Sequence, residues 1–473
     1  MVPEGPQLAF VIVGSRDEPE RVGEVAFLGP GAHVLGRGDA RADDPGPRLS
    51  FLRQRPGASV ATGSFANSRI SRFQLRFQAT PGQDEIEVES VGRCPLFVNG
   101  SATTRARVRA SDTLRLQNEL LLICVRRPRQ LGPGLASGQA ESGFGEADGC
   151  GLVGESPAAW RLREDIAFAA SSPEHVLVLG ESGTGKELVV AAIHASSARA
   201  KRPLLARNAA TLPEGLVDAE LFGNLKNYPN PGMPEREGLI GQASGGTLFL
   251  DEIGELPTKL QAHLLRVLDR GGEYQRLGEA QSRRADLRIV AATNREVGAL
   301  KHDFAARLKL RVAVPPLRDR REDVPLLARH LLRRIAEGNP AAAARFSAGG
   351  AAPRCSLTLM DELVRADYRT HARELEHWLW LALRESLGDE LELGEAVGTA
   401  IANARPTLDK TSVAASGPRD PLDISREQLV AALAANRSSA TRTARALGLK
   451  NRFAVYRAMK KHGLETSEEE PER

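Results

Sequence analysis

Cysteine, aromatic residues and long apolar runs are all scarce in this chain, and each shortage excludes something. Its 473 residues contain four cysteines, Cys94, Cys124, Cys150 and Cys355, with no CxxC pair and no metal-type spacing. That pattern excludes a disulfide framework and fits a reduced, cytoplasmic setting. No stretch approaches the ~20 apolar residues that a membrane helix needs. The opening MVPEGPQLAFVIVGSRDEPE also lacks the basic and apolar regions of a signal peptide. No membrane partner is therefore expected. Aromatics make up 4% of the chain, so its cores rest on Leu, Val, Ile and Ala. A net charge of +4 carries no strong excess of either sign.

The distribution of that charge is more informative than its sum. From Pro421 to Leu464 there are nine Lys or Arg against Asp423 and Glu427, and an acidic tail follows from Glu465 to Glu472. The length predicts about three domains. Residues 8–127 read as short β-rich segments (LAFVIVG, EVAFLG, HVLGRG, LRFQA, EIEVES, LFVNG, TLRLQ, LLLICVR) punctuated by Gly, Pro, Asp and Asn. That pattern predicts an all-β sandwich. A Gly-, Ala- and Ser-rich stretch at 128–149 reads as a flexible linker. Helical patterns then alternate with the buried strands HVLVLG, GTLFLDEI and LRIVAATN, which predicts an α/β unit with a parallel sheet.

Three strand ends in this unit carry phosphate chemistry. HVLVLG runs into G-x-x-x-x-G-K: Gly180, Glu181, Ser182, Gly183, Thr184, Gly185 and Lys186, followed by Glu187. Gly183 and Gly185 let the backbone curl so that its N–H groups face phosphate oxygens. Lys186 reaches the β and γ phosphates, and a helix starting near Glu187 adds its positive N-terminal dipole. TLFLDEI ends in Asp251-Glu252, an acid pair suited to holding Mg²⁺ and polarising an attacking water. LRIVAATN ends at Thr293-Asn294, placed to touch a γ-phosphate. These residues predict an ATP site with Mg²⁺.

The runs LVGESPA, GESGTGKELVVAAIH, LPEGLVDAELFG, ASGGTLFLDEIGELP, LRIVAATNRE and VPPLRDRREDVPLLARHLL resemble the bacterial enhancer-binding proteins, AAA+ activators of sigma-54 RNA polymerase. The resemblance covers about residues 151–464. It implies that Lys186 binds phosphate, Asp251 holds Mg²⁺, Glu252 activates water and Asn294 senses the third phosphate. It implies further that Asn208 holds the catalytic Glu252 in check, and that Arg373, in HARELEHWL, reaches the nucleotide from a helical lid. Of the two arginine-finger positions, one is Ala305 and the other is Arg311, with Arg307 a neighbouring candidate. Such fingers act across subunit boundaries, so a homo-oligomer between a dimer and a hexameric ring is implied. The family's sigma-contacting GAFTGA loop is replaced here by NYPNPG, Asn227 to Gly232, in preserved register; Pro229 and Pro231 stiffen it.

HVLGRG, ISRFQL and LFVNG resemble a forkhead-associated (FHA) domain, a β-sandwich that binds phosphothreonine. The resemblance implies a phosphopeptide site at Arg37, Ser71, Arg72 and Asn99, with Gln74 in place of the usual His. The last segment, ISREQLVAALAANRSSATRTARALGLKNRFAVYRAMKKHGL, has helical spacing broken at Gly448. It resembles the Fis-type helix-turn-helix, whose second helix enters the DNA major groove. Asn451 and Arg452 are then candidates for base edges, and Arg457, Lys460 and Lys461 for phosphates.

The expected organisation is a sandwich at 8–127, a linker at 128–149, an AAA+ core at 150–335, a helical lid at 336–403, a linker at 404–420, a helix-turn-helix at 421–464 and an acidic tail at 465–473. Three functions fit these residues. One is an ATP-dependent, DNA-binding regulator of the sigma-54 type with a phosphothreonine-binding partner domain. The second is an ATP-binding regulator that does not activate sigma-54, acting as a repressor or with another sigma factor. The third is a phosphopeptide adaptor with an inactive ATPase.

Overall fold

The computed structural model describes residues 5–42, 44–79, 84–134, 142–212, 216–269, 271–346, 353–404, 426–435, 443–444, 447, 449 and 452–462. The chain divides into two units, 1–405 and 406–473. Within the first, two sheets face each other. One is eight-stranded, built from β1 (Gln7–Ser15), β2 (Val25–Phe27), β4 (Phe51–Arg55), β5 (Ala58–Ala61), β8 (Leu96–Val98), β9 (Ser101–Thr103), β11 (Thr113–Leu116) and β12 (Leu120–Arg127), in the order β5-β4-β2-β1-β12-β11-β8-β9. The other contains β3 (Gly31–Leu35), β6 (Leu75–Ala79), β7 (Ile86–Ser90) and β10 (Arg105–Val108), in the order β10-β7-β6-β3. Phe10, Ile12, Leu122 and Cys124 from one sheet meet Leu75, Phe77, Ile86 and Val88 from the other.

The α/β unit has a five-stranded parallel sheet of β13 (Val176–Leu179), β14 (Leu204–Asn208), β15 (Thr247–Asp251), β18 (Arg288–Thr293) and β19 (Leu310–Ala313), ordered β14-β15-β18-β13-β19. Both faces of the central strands β13, β15 and β18 are covered, so these read as largely apolar runs, whereas the edge strands β14 and β19 carry exposed polar positions. Val176 and Val178 pack with Leu162 and Ile166 of helix α1 (Pro157–Ser171) and Val190 of α2 (Lys186–Ala195). Leu177, Leu248 and Ile289 face the opposite way, toward Leu221 of α3 (Val217–Phe222), Ile240 of α4 (Leu239–Gln242), Leu264 of α5 (Thr258–Leu268) and Phe304 of α6 (His302–Arg307). A short ribbon pairs β16 (Glu273–Tyr274) with β17 (Arg283–Arg284).

The lid comprises α7 (Val324–Gly338), α8 (Pro340–Ala343), α9 (Leu357–Arg365), α10 (His371–Glu385) and α11 (Glu395–Ala404). The boundary expected at 335/336 falls inside α7, whose Val324, Ala328, Leu331 and Ile335 all belong to the lid core. That same core holds Ala9, Val11 and Val13 of β1 and Leu121, Ile123 and Val125 of β12. The outer face of the sandwich is therefore packed on the lid. The two approach closely at Gly14, where a Cβ would lie 2.5 Å from Leu357 Cδ2.

Polar groups staple this interface. Asp361 of α9 is buried and accepts from Thr113 Oγ1 at 2.6 Å, Arg115 Nε at 3.3 Å and Arg365 Nε at 3.0 Å. Arg127 donates to Gln54 Oε1 and to the Glu155 carbonyl, both at 2.6 Å. Of the stretch read as a linker, residues 135–141 lie outside the described residues, but the rest is anchored. Arg55 Nη1 donates to the Ser142 carbonyl at 2.8 Å, and Gly145 N to Glu155 Oε1 at 2.8 Å.

Candidate functional site: a phosphate loop under a helical lid

β13, β15 and β18 are adjacent in the sheet, so their C-terminal ends converge. After β13 the chain turns through Gly183 (φ +80) and Gly185 (φ +99) into α2. These left-handed conformations favour glycine. Lys186 is buried at the start of α2, its ammonium donating to the Gly180 carbonyl at 3.0 Å and the Glu181 carbonyl at 3.3 Å. Thr184 is buried and donates to the Glu181 carbonyl at 2.8 Å, while Glu187 is exposed in the first helical turn. Gly180 N donates to the Thr293 carbonyl at 3.3 Å, tying the loop to the end of β18, just before exposed Asn294.

Asp251 closes β15. Its Oδ1 accepts from Glu252 N at 2.9 Å, and Glu252 adopts φ +50. A non-glycine residue held left-handed is a local cost found at functional sites. Asn208 ends β14 opposite Asp251, and its Oδ1 accepts from Ala210 N at 2.9 Å. Two carboxylates fit Mg²⁺, which takes most of its remaining ligands from phosphates and water. Among the described residues no cluster of three or more His, Cys, Asp or Glu forms a closed protein cage.

The lid supplies the roof. Arg373 Nη1 donates to Ser182 Oγ at 3.2 Å and Ala372 N to the Gly183 carbonyl at 3.1 Å. Glu181 pairs with Arg318 and, at 3.0 Å, with His371 Nε2. The Arg318 guanidinium, with help from His371, holds the Glu181 carboxyl down at about 2. Sequence reasoning missed Arg318 and His371, because both reach the loop from more than a hundred residues away.

Residues 152–318 match the model of the sigma-54 interaction domain. The chain is 39% identical over 353 residues to the transcriptional regulatory protein ZraR of Salmonella typhimurium, covering 72% of this chain and 74% of that one. It is 43% identical over 234 residues to a Nif-specific regulatory protein of Bradyrhizobium diazoefficiens, covering 48% and 38%. It is 35% identical over 356 residues to the anaerobic nitric oxide reductase transcription regulator NorR of Serratia proteamaculans, covering 69% and 67%. The chain belongs to the sigma-54-dependent enhancer-binding regulators.

As an enhancer-binding regulator, the chain places its two candidate finger residues differently. Arg307 is engaged within its own subunit: Nε donates to Asp269 Oδ1 at 2.6 Å and Nη1 to the Asp303 carbonyl at 3.1 Å. Arg311 stands exposed on the edge strand β19, with no ion pair or side-chain hydrogen bond among the described residues. NYPNPG forms a closed turn. Asn224 and Arg236 exchange two backbone hydrogen bonds of 3.0 Å across its base. Inside it, Asn227 N donates to the Met233 carbonyl at 2.8 Å, and Asn227 Oδ1 accepts from Gly232 N at 3.0 Å. Tyr228 lies against Gly278 of the ribbon loop, where a Cβ would meet its ring at 2.7 Å.

In the sandwich, Arg37, Ser71 and Arg72 come together. Arg37 N donates to the Ser71 carbonyl at 3.1 Å, and the Arg37 side chain is exposed. Arg72 stacks 5.7 Å from the Phe73 ring centroid and keeps a buried Nη2 with no hydrogen-bond partner among the described residues. Gln74 is fully buried, accepts from Ser71 N at 3.3 Å and donates to the Cys94 carbonyl at 2.8 Å. Asn99 stands apart from this group. It occupies the β8–β9 hairpin turn at φ +50, where its side chain donates to Asp112 Oδ1 at 2.8 Å and accepts from Thr113 N at 3.0 Å. The residue beside Ser71 is instead Arg93, whose N donates to Ser71 Oγ at 3.0 Å and whose side chain is exposed.

The second unit contains helices Arg426–Ala435 and Arg452–Lys461 around a core of Leu429, Ala444, Leu449, Ala454, Val455, Ala458 and Met459. Tyr456, Arg457 and Lys461 face outward. Asn451 lies outside the described residues, and the side chains of Arg452 and Lys460 are likewise not described. Among the described residues no helix is long and apolar enough to cross a membrane.

Proposed function

We propose that this chain is an ATP-dependent, DNA-binding transcription regulator of the sigma-54 enhancer-binding type. The observation that carries this reading is the convergence of Lys186, Asp251-Glu252 and Asn294 at three neighbouring strand ends beneath Arg373. Lys186 and the loop amides bind the phosphates, Asp251 holds Mg²⁺, and Glu252 orients and deprotonates the attacking water. Asn208, one strand away, restrains Glu252. Arg311, free on an edge strand, is the finger delivered to a neighbouring subunit, which makes the active form a ring. Arg307, committed to Asp269, is not.

The Arg452–Lys461 helix supplies the DNA contact, with Arg457 and Lys461 on phosphates. The sandwich reads a phosphothreonine partner through Arg37, Ser71, Arg72 and Arg93. Losing one charge-assisted contact to a phosphate costs about 1.5–3 kcal/mol, so Arg37→Ala should weaken binding of a phosphothreonine peptide about tenfold or more. Titration of the full chain with matched phosphorylated and unphosphorylated peptides checks this, and equal affinity for the two peptides refutes the phosphate reading.

The closed NYPNPG turn favours a second reading, in which ATP turnover is not coupled to sigma-54. A sigma-54 promoter reporter separates the two. Activation by the full chain, lost on deletion of 421–473, supports the first reading. No activation by a chain that hydrolyses ATP supports the second.

A further inference from the structure

Thr370 and the first three residues of α10 touch the phosphate loop at four consecutive positions, and one of them is unusual chemistry for such a place. Thr370 O lies so close to Gly183 that a Cβ there would be 2.1 Å away, Ala372 N donates to the Gly183 carbonyl, and Arg373 reaches Ser182. His371, between them, is 1% exposed and held at φ +47. Its Nε2 lies 3.0 Å from Glu181 Oε2, and its Nδ1 lies 3.4 Å from Leu317 N. A ring nitrogen facing a backbone N–H must accept, so the proton sits on Nε2 and is donated to Glu181. One neutral imidazole thus joins the phosphate loop, the segment leading from β19 into the lid, and the lid helix itself.

We propose that His371 is a positioning residue for the nucleotide: it clamps the lid to the phosphate loop through Glu181, so that lid closure and loop shaping are one event. The inference rests on the nucleotide-binding reading given above. Glu181 places a negative charge in a loop that must cradle negative phosphates. Arg318 pairs with that charge, and His371 ties it to the lid helix. Without His371, Glu181 keeps Arg318 but loses its tie to α10. Arg373 and Ala372 then have to find the loop unaided, at the entropic cost of ordering a loose lid.

The test is calorimetric titration of the full chain with ATP and Mg²⁺, together with steady-state ATP turnover. His371→Ala should weaken ATP binding and raise KM about tenfold, the value of one charge-assisted hydrogen bond, while kcat changes by less than about twofold. His371→Gln keeps a donor near the Nε2 position and carries the same backbone strain as alanine, so it should restore most of the affinity. In a Glu181→Ala background, His371→Ala should weaken binding by less than about twofold, because the tie to Glu181 is already gone and only the 3.4 Å contact with Leu317 N is left to lose. If the alanine variant does not fold, His371→Leu fills the site without a donor and takes its place. Wild-type affinity in the donor-less variant, a glutamine variant no tighter than alanine, or additive effects with Glu181→Ala would each overturn the clamp. A wild-type chain that binds no ATP would overturn the nucleotide reading itself, and the clamp with it.

Discussion

Lys186→Ala should abolish both ATP binding and ATP turnover, whereas Glu252→Gln should keep binding and lose turnover by about two to four orders of magnitude, the usual contribution of a positioned general base. The two variants differ because the two side chains act at different stages. Lys186 is buried at the start of α2 with its ammonium turned into the loop, 3.0 Å from the Gly180 carbonyl. In the proposed site it is the cation that meets the phosphates, and alanine would leave them without it. Glu252 sits beyond the end of β15 in a left-handed conformation, fixed by its N–H on Asp251 Oδ1. Glutamine preserves that backbone hydrogen bond and the side-chain volume but accepts no proton, so the complex forms and does not react. Phosphate release and calorimetric binding on the same samples check both halves. Equal turnover by the wild type and both variants would mean that no hydrolysis occurs at this site.

This much was legible in the sequence because phosphate chemistry is local. A glycine-rich turn after an apolar strand, and acids at the end of the next, are each set by a few consecutive residues. The parallel sheet then brings the strand ends together without further instruction. Contacts between distant segments were less legible. Asn99 carries two signals at once, because Asn-Gly is also the strongest two-residue hairpin signal; here Asn99 and Gly100 take φ +50 and +80 and turn β8 into β9. The strand Ala58–Ala61 is exposed at every position and carries no apolar alternation to announce it. The docking of sandwich on lid did leave a trace. AFVIV in β1 and LLLICV in β12 are apolar at every position, where a strand with one solvated face would alternate. Both are buried on both faces, one set of side chains in the sandwich core and the other in the lid core. What the runs do not disclose is the partner, since Asp361 and Thr113 are 248 residues apart.

Asp361→Ala should therefore be among the most destabilising single changes in the first unit, by about 3–5 kcal/mol, the cost of stripping one partner from a buried ion pair. The carboxylate is 2% exposed and satisfies three donors from two subdomains: Thr113 and Arg115 on β11, and Arg365 one turn along its own helix. Alanine leaves the Thr113 hydroxyl and the Arg115 guanidinium facing a dry interface. Arg115 cannot swing out freely, because it is buried over the Phe97 ring at 4.3 Å from the centroid. Asp361→Asn keeps the shape and one acceptor and should fall between the two. The exposed pair Arg76–Glu89, also on the sandwich, supplies the contrast: Glu89→Ala should cost less than about 1 kcal/mol. Urea unfolding of the full chain, followed by tryptophan fluorescence, reads the difference where it matters. All three tryptophans, Trp160, Trp378 and Trp380, lie in the α/β unit and lid rather than in the sandwich. A lowered midpoint in Asp361→Ala therefore means that the sandwich was bracing the lid. An unchanged midpoint would mean that the sandwich rests on the lid without supporting it, and the proposed phosphopeptide site would then need another route to the phosphate loop.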